Sequence, residues 1–255
     1  MSIPYSRTII GDLPWYGVLI FTGVIAAIAL CMHEEKRLHL KEDTILDMAF
    51  WVIPLGLVGA RVYYVLFNWQ VFAEDPVSVL RIWEGGIAIY GAIIGGLIGV
   101  VLFSLKRKLN PFVLTDMIVP GLSLAQGIGR WGNYFNMEAY GREITDPAWQ
   151  FFPVGVQIPY EDGFRWHMAT FFYESFWDIA VFLLLWFVIR KRSQKAGTVT
   201  LWYLVLYGAG RFFIEELRTD SLMLGAIRVS QLLSLVLVLF AAAMLLYQHL
   251  KKKTT

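Results

Sequence analysis

Charge is what this sequence lacks most. Asp, Glu, Lys and Arg supply 16% of its 255 residues, against 57% apolar and aromatic; an ordinary soluble domain carries about a quarter charged residues. With a mean hydropathy of +0.57 there is too little polar surface to cover a globule in water, so the expected solvent is lipid. The net charge of +2 says little by itself. Cysteine is almost absent: the single Cys31 excludes an internal disulfide and any multi-cysteine metal site, and reads as small apolar filler. There is no low-complexity tract, no nucleotide loop, no His-Glu-x-x-His metal motif and no linker. One integral membrane domain over residues 1–255 is expected, with the lipid bilayer as partner and no nucleic acid.

A membrane-spanning helix needs about 20 largely apolar residues. Residues 13–32, 85–105 and 229–250 contain no Lys, Arg, Asp or Glu, and 196–210 is charge-free before running on into Arg211. Three further stretches carry isolated charges: 44–68 with Asp47 and Arg61, 111–129 with Asp116, and 169–189 with Glu174 and Asp178. The expected fold is therefore all-α, a polytopic membrane protein with about seven transmembrane helices. If the N-terminus is outside, one side collects 13 of the 22 basic residues, including all nine lysines. Cytoplasmic loops carry such an excess, so the C-terminus is expected in the cytoplasm. The first apolar stretch has no basic n-region and no small-residue cleavage site, and is expected to stay as a permanent helix. Residues at about 130–168, rich in Trp, Tyr, Phe and Pro, suit an external arm at the interface.

Ionisable groups inside a bilayer are costly and mark function by default. Arg61 lies about 17 residues, roughly 26 Å, into the second stretch. Arg130 lies at the outer end of the fourth helix and Arg211 in the outer half of the sixth, and Tyr16 and Tyr90 enter from outside to a similar depth. Arginine suits a phosphate ligand, because its planar fork matches phosphate oxygens and stays charged. The plainer alternative is that these arginines snorkel to head groups or pair with Glu138, Glu174 and Glu215. Tyr207, Arg211 and Glu215 follow one another at i, i+4 along a helix. Gly129, Gly132 and Gly141 suggest that the fourth helix breaks near Arg130 and lines a cavity there. Gly91, Gly95 and Gly99 recur every four residues and read as a close-packing stripe.

The run Gly129-Arg130-Trp131-Gly132-Asn133-Tyr134-Phe135-Asn136-Met137-Glu138-Ala139-Tyr140-Gly141 resembles the signature of the bacterial prolipoprotein diacylglyceryl transferases. That signature is Gly-Arg-x-Gly-Asn-aromatic-x-Asn-x-Glu-x-x-Gly, and every fixed position is present. Trp15-Tyr16-Gly17, Gly59-Ala60-Arg61-Val62-Tyr63-Tyr64, Gly85-Gly86-Ile87-Ala88-Ile89-Tyr90-Gly91 and the run from Tyr207 to Glu215 resemble the family's motifs on four other helices. The resemblance spans essentially the whole chain. It implies transfer of a diacylglyceryl group from phosphatidylglycerol to the lipobox cysteine of prolipoprotein signal peptides, at the bacterial plasma membrane, with the site toward the outer leaflet. Glycerol phosphate would be released, and neither a metal nor another cofactor is implied. By position, Arg130 and Arg211 would be the essential arginines and Tyr90 a catalytic group. Asn133, Asn136, Glu138 and Gly141 would shape the head-group site, with Tyr16, Tyr207, Arg61 and Glu215 as further substrate contacts.

Two departures from the family pattern bear on the base that takes the thiol proton. Many members have histidine where this chain has Tyr90. An unperturbed phenol ionises near pH 10, so it is a poor base at neutral pH; Tyr90 either only hydrogen-bonds or is activated by a nearby arginine. A His-Pro pair common before the fifth helix is replaced by Met168-Ala169, with His167 one place away. Tyr90, His167, a carboxylate and the departing phosphate all stand as candidates. Among other functions, a transporter would predict internal repeats, and none is found. An intramembrane serine protease built on Ser123 lacks a membrane-buried histidine. A lipid-binding receptor differs from an enzyme only by turnover.

Overall fold

The computed structural model describes residues 6–193, 195–225 and 227–253, and helices dominate it. Seven of them are long: α1 (Trp15–Arg37), α2 (Thr44–Phe67), α3 (Ile89–Arg107), α4 (Pro111–Asn136), α5 (Thr170–Leu184), α6 (Thr198–Glu215) and α7 (Val229–Lys253). A π-helical turn, Leu185–Ile189, carries α5 on to Arg190–Arg192. Six of these, all but α6, are long and apolar enough to cross a membrane. Many of their outward positions are apolar too; Phe50 is 79% and Leu66 68% exposed. Large apolar side chains facing outward along several helices suit a lipid solvent and not water. The chain is thus a mostly helical, polytopic membrane protein. The helix α6 has 18 residues, about 27 Å of rise, but Arg211 and Glu215 near its end dilute its apolar character.

The described chain forms two compact units, Cys31–Met117 and Met1–Leu30 with Ile118–Thr255. In the first, α2 lies against α3 along the glycine stripe read from the sequence. A Cβ at Gly59, Gly91, Gly95 or Gly99 would press into the backbone of the opposing helix. Such close approach replaces the hydrophobic drive that lipid does not supply between helices. The Arg61 side chain, buried, donates from Nε to Val79 O at 2.8 Å, from Nη1 to Gly85 O and Gly86 O at 2.7 and 2.8 Å, and from Nη2 to Ser78 O at 2.6 Å. Its guanidinium also lies 5.0 Å from the Phe72 ring centroid. It pins the segment between α2 and α3. Cys31 is buried, and its thiol donates to Met117 O at 3.3 Å.

In the second unit, α1 meets α4 where Gly23 faces Ala125 and Gly121 faces Ala27. Val119 of α4, Val181 and Leu185 of the fifth helix and Val199 and Tyr203 of α6 form a buried core. Ser175 Oγ donates to Gly127 O at 2.7 Å and accepts from Trp131 Nε1 at 3.1 Å, fixing the spacing of α4 and α5.

The expected break in α4 near Arg130 is not there. The helix runs through Gly129 and Gly132 to Asn136, and Met137 then turns with φ of 54°. These glycines make room for neighbours. A Cβ would meet Ile179 and Ser175 at Gly127, Ile20 at Gly129, and the Tyr16 ring at Gly132. Arg130 and Asn133 therefore stand one turn apart on a continuous helix.

The segment expected as an external arm begins after Asn136. It holds an antiparallel hairpin, β1 (Gly155–Tyr160) with β2 (Gly163–Met168), in register from Gly155↔Met168 to Tyr160↔Gly163. Val156 and Ile158 pack with Tyr134 of α4 and Phe171 of α5, seating the hairpin over the ends of those helices. A second, two-residue pairing, β3 (Met223–Leu224) with β4 (Ile227–Arg228), precedes α7. Hairpins at these two places add strand to an architecture expected to be all-α.

Candidate active site

Three helices of the second unit bring opposite charges to one point. Glu174 sits one turn into α5 and is 5% exposed. Its Oε2 lies 2.6 Å from Arg130 Nε of α4, and its Oε1 2.5 Å from Arg211 Nη1 of α6. A third arginine, Arg218, follows α6 and reaches Glu174 Oε1 at 3.5 Å. Removing an ion from water costs several kcal/mol, and only close partners repay it. One carboxylate shared by three guanidinium groups meets that need and fixes the arginines relative to one another.

Further acids flank this hub. Arg211 Nη2 lies 2.6 Å from Glu215 Oε2, the i, i+4 neighbour read from the sequence. Arg218 holds Asp220 through two hydrogen bonds of 3.0 and 2.9 Å. Asp178, one turn past Glu174 on α5 and 2% exposed, has its Oδ2 3.9 Å from Arg130 Nε. Among the described residues no hydrogen bond reaches that oxygen, nor Glu174 Oε2 or Glu215 Oε2. Arg130, Glu174, Asp178, Tyr207, Arg211 and Trp177 line one small cleft. Trp177, Gly210 and Ile214 also belong to an adjoining apolar cleft of about 300 Å³ between α5 and α6, where Phe172, Tyr173, Phe176, Ala209 and Phe213 complete the wall. A charged cleft that shares three wall residues with an apolar one suits a molecule with an anionic head and hydrocarbon tails.

Of the residues singled out in the sequence, Arg130, Arg211, Tyr207 and Glu215 meet at this cleft or at its arginines. Tyr16 lies against Gly132, two residues on from Arg130, and within electrostatic reach of that arginine. Asn133 and Asn136 occupy the last turn of α4; Asn136 Nδ2 donates to Glu138 Oε1 at 3.2 Å, and Glu138 is exposed. Gly141 pairs with Arg218 in an isolated β-bridge, and its N–H donates to Met168 O at 2.9 Å. A Cβ there would sit 2.8–2.9 Å from Met168, Leu217 and Thr170 atoms. Gly141 thus lets the signature segment lie beside the chain that carries Arg218. Arg61 and Tyr90 belong to the other unit, where Tyr90 packs near Tyr63 with centroids 6.2 Å apart. His167 is buried, with Nδ1 2.9 Å from Gly141 O and Nε2 3.1 Å from Tyr160 Oη.

The sequence profile of the prolipoprotein diacylglyceryl transferases matches residues 6–247. The chain belongs to that family. A relative from Streptococcus agalactiae is 44% identical over 239 residues, covering 93% of this chain and 92% of its own. One from Limosilactobacillus reuteri is 44% identical over 241 residues, 93% and 87% of the two chains. One from Listeria welshimeri is 40% identical over 247 residues, 94% and 87%. All three carry the name phosphatidylglycerol–prolipoprotein diacylglyceryl transferase. Membership in a transferase family gives the arginine cluster its chemical setting.

Glu174 stood out in the sequence only as an isolated charge and a candidate partner. Asp178 and Arg218 had no assigned role there. The signal for the two acids was their i, i+4 spacing in an otherwise apolar span, which sets them on one face of α5. For Arg218, which follows α6 outside every apolar window, the sequence holds no comparable signal.

Proposed function

We propose that this chain transfers the diacylglyceryl group of phosphatidylglycerol to the lipobox cysteine thiol of prolipoproteins, the first step of bacterial lipoprotein maturation. The observation that carries this reading is the pair Arg130 and Arg211, held from two helices by the single buried carboxylate of Glu174, in a chain of the transferase family. The phosphodiester enters between the arginines with its acyl chains in the apolar cleft. The thiolate attacks the glyceryl carbon bonded to the phosphate ester oxygen. A thioether C–S bond forms, the C–O bond breaks, and glycerol phosphate leaves with the added negative charge. Fixed cations in a site of low dielectric stabilise that charge without having to reorganise. Asn133, Asn136, Glu138 and Gly141 shape the head-group end, with Tyr16 and Tyr207 beside the arginines. Arg61 serves by holding its own segment, since its fork is committed to backbone carbonyls. Tyr90 stands where many members have histidine and takes part as a hydrogen-bonding phenol.

The chain crosses the plasma membrane seven times as a single domain, α6 adding one crossing to the six apolar helices, with the N-terminus outside, the C-terminus in the cytoplasm and the site toward the outer leaflet. The lysine-free external side supports that orientation. The test is to incubate purified protein with phosphatidylglycerol and a lipobox peptide and to weigh the peptide by mass spectrometry, beside Arg130→Ala. A diacylglyceryl mass gain on the cysteine, lost in Arg130→Ala, is expected. No gain with folded, lipid-bound wild type would overturn the proposal, and anion flux in liposomes would then decide for a transport path.

A further inference from the structure

A lipobox thiol has a pKa of about 8.5 when free, and the thiolate is the nucleophile. On the transferase reading above, some group must therefore take the thiol proton. The candidates differ in what their lone pairs already do. Glu174 is spent on Arg130 and Arg211 at 2.6 and 2.5 Å, and Glu215 Oε2 on Arg211 at 2.6 Å. Both ring nitrogens of His167 are engaged, by Gly141 O and Tyr160 Oη. Glu138 is exposed and accepts from Asn136. Asp178 is different. It lines the arginine cleft and is 2% exposed; among the described residues its Oδ2, like Glu174 Oε2 and Glu215 Oε2, receives no hydrogen bond, but those two oxygens each lie 2.6 Å from an arginine, whereas its own nearest cation stands at 3.9 Å. A buried carboxylate oxygen is normally satisfied by partners, and one left bare inside a cleft calls for an explanation.

We propose that Asp178 is the general base of the transfer, its Oδ2 accepting the proton of the lipobox thiol. Displacement at a saturated carbon is in line, so sulfur attacks from the side opposite the departing oxygen. The arginines that receive the phosphate converge at the level of Glu174. Asp178 stands one turn further along α5, about 6 Å along the axis. That offset is of the order spanned by the line from departing oxygen through carbon to sulfur. The carboxylate is held there by packing of α4 on α5: Ser123 Oγ donates to Asp178 O at 2.8 Å, and Gly127 leaves room beside its Cβ. The proton moves from sulfur to Asp178, the sulfur pair forms the C–S bond, and the C–O pair leaves on the phosphate. Asp178 then returns the proton to the departing monoester, and no other reactant is needed.

A substrate that needs no base tests this. A lipobox peptide with selenocysteine in place of cysteine carries a selenol that ionises unaided at neutral pH. With phosphatidylglycerol and the cysteine peptide, Asp178→Asn should lower kcat about 10²–10⁴-fold, the usual worth of a general base, with KM for the lipid little changed. With the selenocysteine peptide the same variant should stay within about tenfold of wild type. Asp178→Glu, which keeps a carboxylate, should recover part of the cysteine turnover and serves if the asparagine variant does not fold. Equal loss on both peptides would mean that Asp178 only supports Arg130, and would overturn the proposal, as would an Asp178→Asn enzyme at wild-type rate with cysteine. A wild type inert with both peptides would instead overturn the transferase reading itself.

Discussion

Replacing Glu174 by glutamine keeps the shape of the hub and removes its charge. The three arginines then fare differently. Arg211 still has Glu215 at 2.6 Å, and Arg218 still has Asp220 at 2.9 Å. Arg130 loses its 2.6 Å partner and retains only Asp178 at 3.9 Å. Two unit charges about 4 Å apart attract by about 4 kcal/mol at an effective dielectric of 20. Breaking a buried pair from one side costs about 3–5 kcal/mol. Arg130 keeps 20% side-chain exposure and one distant acid, so the lower end applies, about 3 kcal/mol, or two orders of magnitude in kcat/KM if its placement limits the transition state. The assay is a double-mutant cycle of wild type, Glu174→Gln, Arg130→Ala and the double variant, read as kcat/KM on phosphatidylglycerol and as thermal stability in micelles. Without Arg130, glutamine at 174 should cost far less, giving a coupling of about 1–3 kcal/mol. Costs that add to within about 0.5 kcal/mol would show that Glu174 does not act through Arg130.

Gly141→Ala would set a Cβ 2.8–2.9 Å from Met168 Cβ, Leu217 O and Thr170 Cγ2. The chain bridging to Arg218 would have to shift, at about 1–3 kcal/mol of stability and with a fall in transfer activity; an unchanged melting curve would contradict the crowding. Cys31→Ala removes one weak bond to Met117 O, worth about 1 kcal/mol or less. Transfer should continue at the wild-type rate, because the nucleophile belongs to the substrate, and a tenfold loss would place a covalent step on the enzyme.

The helices were legible because a bilayer imposes a length and a composition, and each long helix ends within several residues of a stretch found by hydropathy. The stripe Gly91, Gly95, Gly99 was legible for a related reason: small residues at a four-residue period have one efficient use between helices in lipid. The glycines of α4 were misread. Gly weakens a helix by about 1 kcal/mol, yet α4 runs on through Gly129 and Gly132. In place they admit Ile20 and Tyr16, and the close packing offsets the propensity. The hairpin β1–β2 was missed because its residues alternate poorly; Pro159 and the tip at 161–162 leave a short strand signal in an aromatic segment.

The arginine site shows where reading along the chain stops. Spacing identifies partners on one helix, and it found Arg211 with Glu215. Partners on different helices leave no mark at i, i+4. The cost of a bare charge in an apolar span guarantees only that Arg130, Glu174 and Asp178 each have company, not which company. Counting helps a little further. Three arginines and three buried carboxylates, Glu174, Asp178 and Glu215, come together in one unit, so their formal charges cancel before any lipid arrives. A site built only to be neutral would pair each acid closely with one arginine. Here three guanidinium groups crowd one carboxylate, while Asp178 is left with a single contact at 3.9 Å. That unequal sharing leaves one carboxylate free to accept a proton, which a stabilising network alone would not need.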